Sequence, residues 1–272
     1  MTKKTYTFNV DQSTCQDSIP TLLAKPTAQS NQAIKHAMSC GAIWLSRGNK
    51  QERVRRAKTK LKPGDCLTYY YSADLLKEPQ PQLQSIHIDS DFSVWLKPRY
   101  MTVSGSRFCD HTSLKRCIEA QHPAQPTTYI VHRLDRFTAG LFIVAHNKKY
   151  AAKLSDLFRT HKIHKRYHAW VEGFVSCSTN VGLELNGKSA RSDVSPVTSR
   201  KDKSLVEVII HTGRKHQVRR HLAAIGHPII GDRQQETDHS FDLQLAATLL
   251  EFALEDRAFS FQLNWQDLLE SF

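Results

Sequence analysis

The sequence IVHRLDRFTAGLFIVAHN, residues 130–147, has apolar, strand-like runs on both sides of a polar centre. The centre holds one carboxylate, Asp135, between Arg133 and Arg136. Two neighbouring cations favour the ionised carboxylate, which makes Asp135 a poor general acid near neutral pH. Two roles remain open, a structural ion-pair partner at a strand end or a nucleophile. The small residues 138–140 that follow favour the second role, because they let another backbone or a ligand approach closely.

The charge of the chain indicates a polyanionic partner. The 272 residues carry a net charge of +12. Residues 232–272 contain nine acidic and two basic residues, a net of −7, so that residues 1–231 carry +19. This balance favours nucleic acid as the partner. The alternative is a protein that is basic without binding nucleic acid.

Other features of the sequence exclude several classes of protein. No run approaches eighteen apolar residues, so no transmembrane helix or membrane partner is expected. The first residues, MTKKTYTFNV, lack the apolar core of a signal peptide. The six cysteines form no C-x-x-C pair, which favours reduced thiols in a cytoplasmic protein over a disulfide framework.

The sequence divides into a basic N-terminal part and a longer part with denser strand and helix patterns. Residues 1–76 contain a predicted helix near residues 31–41, eight lysines and arginines between Arg47 and Lys62, and a strand after the turn at residues 63–65. Residues 77–84, KEPQPQLQ, are polar and hold two prolines, as expected of a linker.

Residues 85–272 form the predicted catalytic domain. SIHIDS and FSVWLKP are expected to pair as a hairpin, and KKYAAKLSDLFRTHK is expected to be an amphipathic helix. Further strands and helices follow in irregular order. This pattern predicts an α+β fold with a mixed, largely antiparallel sheet flanked by helices.

A second basic and aromatic cluster is HKIHKRYHAWVEG, residues 161–173. In a strand, Lys165 and Tyr167 lie on one face, where an aromatic ring beside a cation can stack on a nucleobase. Core packing of the tyrosine is the alternative. The histidines at 161, 164 and 168 are a weak indication of a metal, because no cysteine or carboxylate lies nearby at ligand spacing.

A third cluster is HTGRKHQVRRHLAAIGHPIIGD, residues 211–232. The pattern predicts a helix that begins near Gly213 and ends at Gly226, with Lys215 and Arg219 beside its buried stripe. The first amides of such a helix can bind an anion. A helix with a solvated basic face is the alternative interpretation.

These three blocks resemble the motifs of the RluA-type RNA pseudouridine synthases. HRLDRFTAGL is similar to H-R-L-D-x-x-T-S-G, and KRYHAWVEG to K-x-Y-x-A. TGRKHQVRRHLAAIGHPIIGD is similar to T-G-R-x-H-Q-I-R-V-H-L-x-x-x-G-H-P-I-x-G-D. The blocks occur in the family's order over about residues 92–262.

The resemblance implies the fold of that family and a role for each motif residue. Asp135 is implied as the catalytic nucleophile, and Tyr167 as the aromatic residue that packs on the target base and helps to move its proton. Arg219 is implied to pair with Asp135, Arg133 to fill the gap left by the flipped nucleotide, and Leu222 to form part of the pocket wall. Further RNA- or substrate-binding positions are expected at His132, Arg136, Thr138, Gly140, Lys165, Arg214, His216 and Gln217. No cofactor or metal is implied.

The sequence departs from the family pattern at several places. Ala139 replaces the usual serine, and LKPRYMTV, residues 96–103, stands where N-K-P-x-G is frequent. QLAATLLEF, residues 244–252, lacks the usual histidine, and Arg-Gln-Gln follows residues 231–232 in place of the usual approach to Tyr-Gly. None of these changes affects Asp135, so the chemistry is expected to be retained while substrate details differ.

The N-terminal part has the layout of the small alpha-L RNA-binding domain that often precedes this catalytic domain. A plain N-terminal extension is the alternative. The leading interpretation of the whole chain is a monomeric, cytoplasmic pseudouridine synthase acting on ribosomal or transfer RNA. A non-catalytic RNA-binding or ribosome-assembly protein on the same scaffold is the second, and a metal-dependent enzyme is the third.

Overall fold

The computed structural model describes residues 3–123, 127–235, 237 and 239–270. The chain forms two compact units, one of Met1–Gln82 with Ser104–Cys117 and one of Leu83–Val103 with Ile118–Phe272. The predicted division at residues 1–76, 77–84 and 85–272 differs from these units mainly at Ser104–Cys117, which packs with the N-terminal unit.

The first unit is a four-stranded antiparallel sheet with helices. Its elements are β1 (Lys3–Asn9), α1 (Ile19–Thr27), α2 (Asn31–Ser39), β2 (Ile43–Arg47), β3 (Lys50–Arg53), β4 (Cys66–Ser72) and α3 (Ala73–Lys77). The strand order is β1-β4-β2-β3. The core lies between this sheet and the helices, and its fully buried members include Ile19, Leu23, Ile34, Met38, Ile43, Leu67 and Tyr69.

Helix α1 was absent from the predicted elements, because its two prolines are typical of turns. Pro20 stands in the first turn, where a proline is tolerated since its missing N–H would have no helical partner. The hydroxyl of Ser18 caps the helix by accepting from the backbone N of Thr21 at 3.3 Å. Buried Ile19 and Leu23 attach the helix to the core.

Three of the eight cations between Arg47 and Lys62 form structural contacts inside the first unit. Arg47 binds both carboxylate oxygens of buried Asp65, at 2.7 and 2.6 Å. Arg55 binds both oxygens of Asp110, at 2.8 and 2.6 Å. The guanidinium of Arg53 lies 4.3 Å from the ring centre of Trp44. Among the described residues, the cations of this segment that are exposed and have no ion pair within 4 Å are Arg56, Lys58, Lys60 and Lys62.

The segment 104–117 is tied to the first unit by hydrogen bonds. The backbone N of Asp110 donates to the carbonyl of Cys40 at 2.9 Å. The side-chain amide of Gln80, in the predicted linker, donates to the carbonyls of His111 and Arg116, each at 3.0 Å. Residues 77–82 are therefore held against this segment within the first unit.

The second unit is built on a large mixed sheet. Its elements are β5 (Ser85–Ile88), β6 (Phe92–Lys97), α4 (Leu114–Gln121, which begins in the first unit), β7 (Tyr129–Ile130), β8 (Ala139–Ala145), α5 (Lys148–Arg159), β9 (His164–Glu172), β10 (Thr179–Glu184), β11 (Ser189–Arg200), β12 (Lys203–Ile210), α6 (Gln217–Ala224), β13 (Leu245–Leu254), β14 (Arg257–Gln262) and a 3-10 turn at Trp265–Asp267.

The strand order of the second unit is β10-β11-β12-β9-β13-β8-β6-β5, with β14 on β13 and β7 on β8. The pairs are antiparallel except β13 with β8. The predicted α+β class with a largely antiparallel sheet is therefore confirmed. The hairpin of β10 and β11 was not predicted, because both strands are rich in polar residues and alternate only partly between buried and exposed positions.

The sequence context predicts that Asp135 lies at the end of a strand, but the structure does not place it there. Strand β7 ends at Ile130 and β8 begins at Ala139, so Asp135 belongs to the loop between them. Residues 131–134, VHRL, form no ladder in the structure. A loop can aim a side chain away from the sheet, which suits a residue that must meet a ligand.

Gly140 is required by backbone packing, and its contact with RNA stays a prediction. Its φ of +120° is rarely adopted by residues with a side chain, and a Cβ placed on it would lie 2.1 Å from the carbonyl oxygen of Ala247. Gly140 is paired with Ala247 where β8 and β13 run parallel. The close approach that its small size allows is therefore to another strand.

We expect Gly140→Ala to lower the free energy of unfolding by about 3 kcal/mol or more, because overpacking adds to an unfavourable φ. Urea unfolding followed by circular dichroism measures the change. Gly182→Ala is the matched control, since a Cβ there meets no atom within 4 Å. Equal stability of the two variants would show that the β8–β13 approach does not require glycine.

Candidate active site

Hydrogen bonds from Lys97 hold the loop that carries Asp135. The ammonium of this fully buried lysine donates to the carbonyls of Pro98 at 2.9 Å, Arg136 at 3.2 Å and Thr138 at 2.7 Å. Burial lowers the pKa of Lys97 to about 7, against the opposing charge of Asp135. The sequence reasoning missed Lys97, although the pattern LKP marks its place at the end of β6.

A turn inside the loop completes this arrangement. The backbone N of Thr138 donates to the carbonyl of Asp135 at 3.1 Å. Thr138 is buried and its carbonyl accepts from Lys97. Thr138 therefore shapes the loop through its backbone while also lining the cleft described next.

The three sequence blocks meet at one cleft of about 260 Å³ in the second unit. The loop before β8, strand β9 and the start of α6 each contribute to it. The lining residues are Arg133, Leu134, Asp135, Thr138, Tyr167, Ile210, Gly213, Arg214, Lys215, His216, Gln217, Val218 and Arg219. Residues as far apart in the chain as Arg133 and Arg219 thus converge on a single cavity.

His216 is the side chain that the structure places beside Asp135. Its Nε2 lies 3.6 Å from a carboxylate oxygen of Asp135, an ion pair when the imidazole is protonated. His216 immediately precedes α6 with a left-handed φ of +55°, which is uncommon for residues other than glycine. Such strain persists only where surrounding structure holds it, and it is frequent at functional sites.

Tyr167 and Lys165 share one face of β9, as their alternation predicts. Tyr167 is buried and lines the cleft with Asp135. Burial, and to a smaller extent the charge of Asp135, raise the pKa of Tyr167 well above its ordinary value, so its phenol stays neutral. Burial lowers the pKa of Lys165 to about 8, and its ammonium lies 5.8 Å from the ring centre of Phe158.

The histidines considered as metal ligands do not converge. His168 binds the hydroxyl of Thr248 through Nδ1 at 2.8 Å. His164 is the first residue of β9, and His161 lies in the turn before this strand. Within the described ranges, no group of three or more histidine, cysteine or acidic side chains is arranged to hold a metal ion. No helix of the described part of the chain is long and apolar enough to cross a membrane.

Comparisons with known proteins agree with this geometry. The family model for RNA pseudouridylate synthase matches residues 91–224. Ribosomal large subunit pseudouridine synthase D of Zymomonas mobilis is 30% identical over 252 residues, which cover 81% of this chain and 78% of that protein. The chain belongs to the RluA-type RNA pseudouridine synthase family.

Two further matches extend this result. The tRNA pseudouridine synthase C of Yersinia pestis is 38% identical over 131 residues, 38% of this chain and 51% of that protein. The solved structure of Human RNA Pseudouridylate Synthase Domain Containing 1 has a TM-score of 0.58 at 21% identity, over 69% of this chain and 86% of that one, which concerns the fold alone. The synthase is therefore an isomerase acting on RNA, and the catalytic interpretation is favoured over the non-catalytic one.

Arg219 lines the cleft of the synthase but does not form the predicted ion pair with Asp135. Its Nε donates to Asp232 at 2.8 Å, and its Nη2 binds the other oxygen of the same carboxylate. Both side chains are buried. The planar guanidinium matches a carboxylate in this two-bond geometry, so Arg219 is neutralised by Asp232, the last residue of the same motif block, for which the sequence predicted no pairing.

Two other motif positions of the synthase are structural. Gln217 was predicted to bind RNA, but its amide makes four internal hydrogen bonds, from Thr212 Oγ1 and the Arg214 backbone and to the Arg191 carbonyl and Ser192 Oγ. That set uses the full capacity of the side chain. Leu222 was predicted in the pocket wall, but it is fully buried and is absent from the cleft lining.

His132 is also a packing residue, and its contact with RNA stays a prediction. Its ring is stacked between Phe142 and Phe158, with centres 4.2 and 4.5 Å away. Its Nε2 accepts from the backbone N of Ile143 at 3.0 Å. Burial, assisted by the charge of Lys165, lowers the pKa of His132 to about 3, so the ring is neutral.

The two arginines beside Asp135 in the sequence do not pair with it. Arg133 is exposed and lines the cleft. Arg136 points away, because its Nε donates to the carbonyl of Tyr100 at 3.0 Å. Arg214 lines the cleft and donates from Nε to the carbonyl of Ser189 at 3.1 Å. The cleft thus keeps exposed cations at its rim.

We expect Arg219→Met to lower the free energy of unfolding by about 3–5 kcal/mol, because it leaves the buried charge of Asp232 uncompensated. The double variant Arg219→Met, Asp232→Leu should regain much of that loss, since removing both charges removes the desolvation cost. Thermal and urea unfolding of both variants and of the control Arg220→Ala measure this. A single variant as stable as wild type would contradict the buried pairing.

Proposed function

We propose that this synthase converts uridines of ribosomal or transfer RNA to pseudouridine, with Asp135 as the nucleophile. The observation that carries the proposal is the convergence of Asp135, Tyr167 and several cations on one cleft of about 260 Å³. The names of related proteins include synthases of ribosomal RNA and of tRNA, which supports these two classes of substrate. We further propose that the protein acts as a cytoplasmic monomer.

The isomerisation needs no external reactant. The bond between N1 of uracil and C1′ of ribose breaks, a bond between C5 and C1′ forms, and the hydrogen on C5 moves to N1. Asp135 attacks the sugar or the base as the bond between N1 and C1′ breaks, and its own bond to the substrate breaks again before the product leaves, so that the carboxylate is regenerated. His216, whose Nε2 lies 3.6 Å away, supplies a counter-charge to the carboxylate when its imidazole is protonated.

Tyr167 packs against the detached uracil in this proposal. Its neutral phenol can donate a hydrogen bond, but it is a poor base near neutral pH because burial raises its pKa. Lys165 on the same strand face and Lys215 on the rim add positive charge near the RNA backbone. Thr138 and Arg214 complete the wall.

Arg133 acts at the vacancy left by the target nucleotide. Extruding a base costs a few kcal/mol of unstacking, and a side chain that fills the gap offsets part of it. The exposure of Arg133 at the cleft, two residues before Asp135, suits this role.

We expect Asp135→Asn to abolish pseudouridine formation while RNA affinity stays within about threefold of wild type, since affinity is spread over many phosphate contacts. The assay maps pseudouridines in total RNA from cells lacking the gene after incubation with either protein. Filter binding of the same RNA provides the affinity.

Turnover by Asp135→Asn near the wild-type rate would show that Asp135 is not the nucleophile. Absence of pseudouridine formation by the wild-type protein on ribosomal and transfer RNA alike would reject the proposed substrates.

We also propose that the first unit binds RNA phosphates through the exposed cations Arg56, Lys58, Lys60 and Lys62. These four lie in the stretch after β3, and no ion pair within 4 Å neutralises them among the described residues. Arg47, Arg53 and Arg55 are excluded from this role by their internal contacts. Phosphate contacts of this kind add affinity without reading sequence.

We expect replacement of these four cations by glutamine to weaken RNA binding and to reduce the slope of log affinity against log salt by up to about 3, at roughly 0.7–0.9 per phosphate contact. Substitution is a sharper test than deleting residues 1–76, because deletion would remove the partners of the segment 104–117. The control replaces the exposed Lys25 and Lys35 of the same unit. An unchanged salt slope would rule out this phosphate-binding role.

A further inference from the structure

Two large aromatic side chains are exposed side by side near the catalytic loop. Tyr100 is 46% exposed and Phe137 is 37% exposed. Their ring centres are 5.6 Å apart and the planes are nearly perpendicular, at 88°. Phe137 follows Asp135 by two residues, on the loop that Lys97 fastens. The pair therefore lies beside the cleft and outside its lining.

Arg136 joins these two rings. Its guanidinium carbon lies 5.6 Å from the ring centre of Phe137, and its Nε donates to the carbonyl of Tyr100 at 3.0 Å. Its own carbonyl accepts from Lys97, which also binds the carbonyl of Pro98. The two loops are thus cross-linked by hydrogen bonds, which holds the rings in place before any ligand arrives.

Tyr100 adopts a backbone conformation that favours glycine. Its φ is +66°, and the left-handed region costs other residues about 1–2 kcal/mol. The related family pattern N-K-P-x-G often has glycine at this position. An exposed ring gains little from burial in the fold to offset that cost, so folding alone gives no reason for a tyrosine here.

The charge around the rings indicates which partner covers them. Arg133 and Arg136 are exposed on the same loop, and residues 1–231 carry a net charge of +19. A surface that combines aromatic faces with guanidinium groups matches a nucleobase next to a phosphate. An apolar protein partner would leave these cations without counter-charges.

We propose that Tyr100, Phe137 and Arg136 form a stacking site for an unpaired nucleobase that flanks the target uridine. This inference rests on the proposed function, because it presumes an RNA strand in the cleft. Stacking tolerates any base, whereas a base inside a duplex has both faces covered by its stacked neighbours. The site therefore selects target uridines in single-stranded loops.

The test compares Tyr100→Gly and Phe137→Ala with the control Phe174→Ala. Glycine suits the φ of Tyr100, so the first variant should fold at least as well as wild type. Phe174 is 67% exposed in the same unit and lies past the end of β9 at Glu172. The strand rises about 16 Å over the residue steps from Tyr167 to Glu172, so Phe174 lies well away from the cleft.

The first measurement is single-turnover pseudouridine formation in total RNA from cells lacking the gene. We expect the enzyme concentration at half-maximal rate to rise roughly tenfold in Tyr100→Gly and in Phe137→Ala, in line with the loss of one stacked base. The rate at saturation should change less than threefold, and Phe174→Ala should match wild type.

The second measurement does not depend on turnover. Seven-nucleotide oligouridylates, each with 2-aminopurine at one position, are titrated with wild type and the variants. Stacking on an aromatic ring quenches this fluorophore, so we expect one position to be quenched by wild type and by Phe174→Ala and to recover in Tyr100→Gly.

Three outcomes decide the matter. If Tyr100→Gly and Phe137→Ala both keep wild-type kinetics and quenching, the stacking site is overturned while the proposed function stays intact. Failure of wild type to form pseudouridine, with position-specific quenching preserved, would reject the function and not the site. A wild-type dimer in sedimentation that Tyr100→Gly abolishes would reassign the rings to a protein interface and overturn the proposal.

Discussion

The active-site loop depends on a buried ammonium group. An isolated charge as buried as that of Lys97 would be strongly unfavourable, but three carbonyl oxygens, of Pro98, Arg136 and Thr138, accept its hydrogen bonds. Two of these carbonyls, of Arg136 and Thr138, lie on either side of Phe137 and directly after Asp135 in the loop. One lysine at the end of β6 thus sets the position of the candidate nucleophile and of the exposed ring beside it.

The electrostatics of the cleft follow from which charges are already paired. Arg219 is paired with Asp232 inside the fold, so the carboxylate of Asp135 faces His216 and the more distant charge of Lys97. Burial lowers the pKa values of Lys97 and Lys165. A carboxylate with few close counter-charges remains available as a nucleophile, whereas a two-bond arginine pair would occupy both of its oxygens.

Sequence patterns located the cleft but not the partners of its residues. Alternation along β9 places Lys165 and Tyr167 on one face, and the three motif blocks do line one cavity together. The pairing of Arg219 with Asp232, the four hydrogen bonds of Gln217 and the approach of Ala247 to Gly140 depend on contacts between distant parts of the chain. Local periodicity carries no information on such contacts, so a motif residue that supports the fold is indistinguishable in sequence from one that binds substrate.

The positions at which this chain differs from the family motifs, or where the motifs allow any residue, lie beside the candidate catalytic residues and do not include them. Asp135 and Tyr167 match the motifs, whereas Tyr100, Arg136 and Phe137 occupy positions where the pattern has glycine or leaves the residue free. The structure brings these three side chains together on one surface beside the cleft. Because uridine presents the same atoms to the nucleophile in every RNA, selection among uridines must come from contacts with the surrounding nucleotides. Those contacts can change through the variable positions while the loop that Lys97 holds, and the reaction it supports, stay the same.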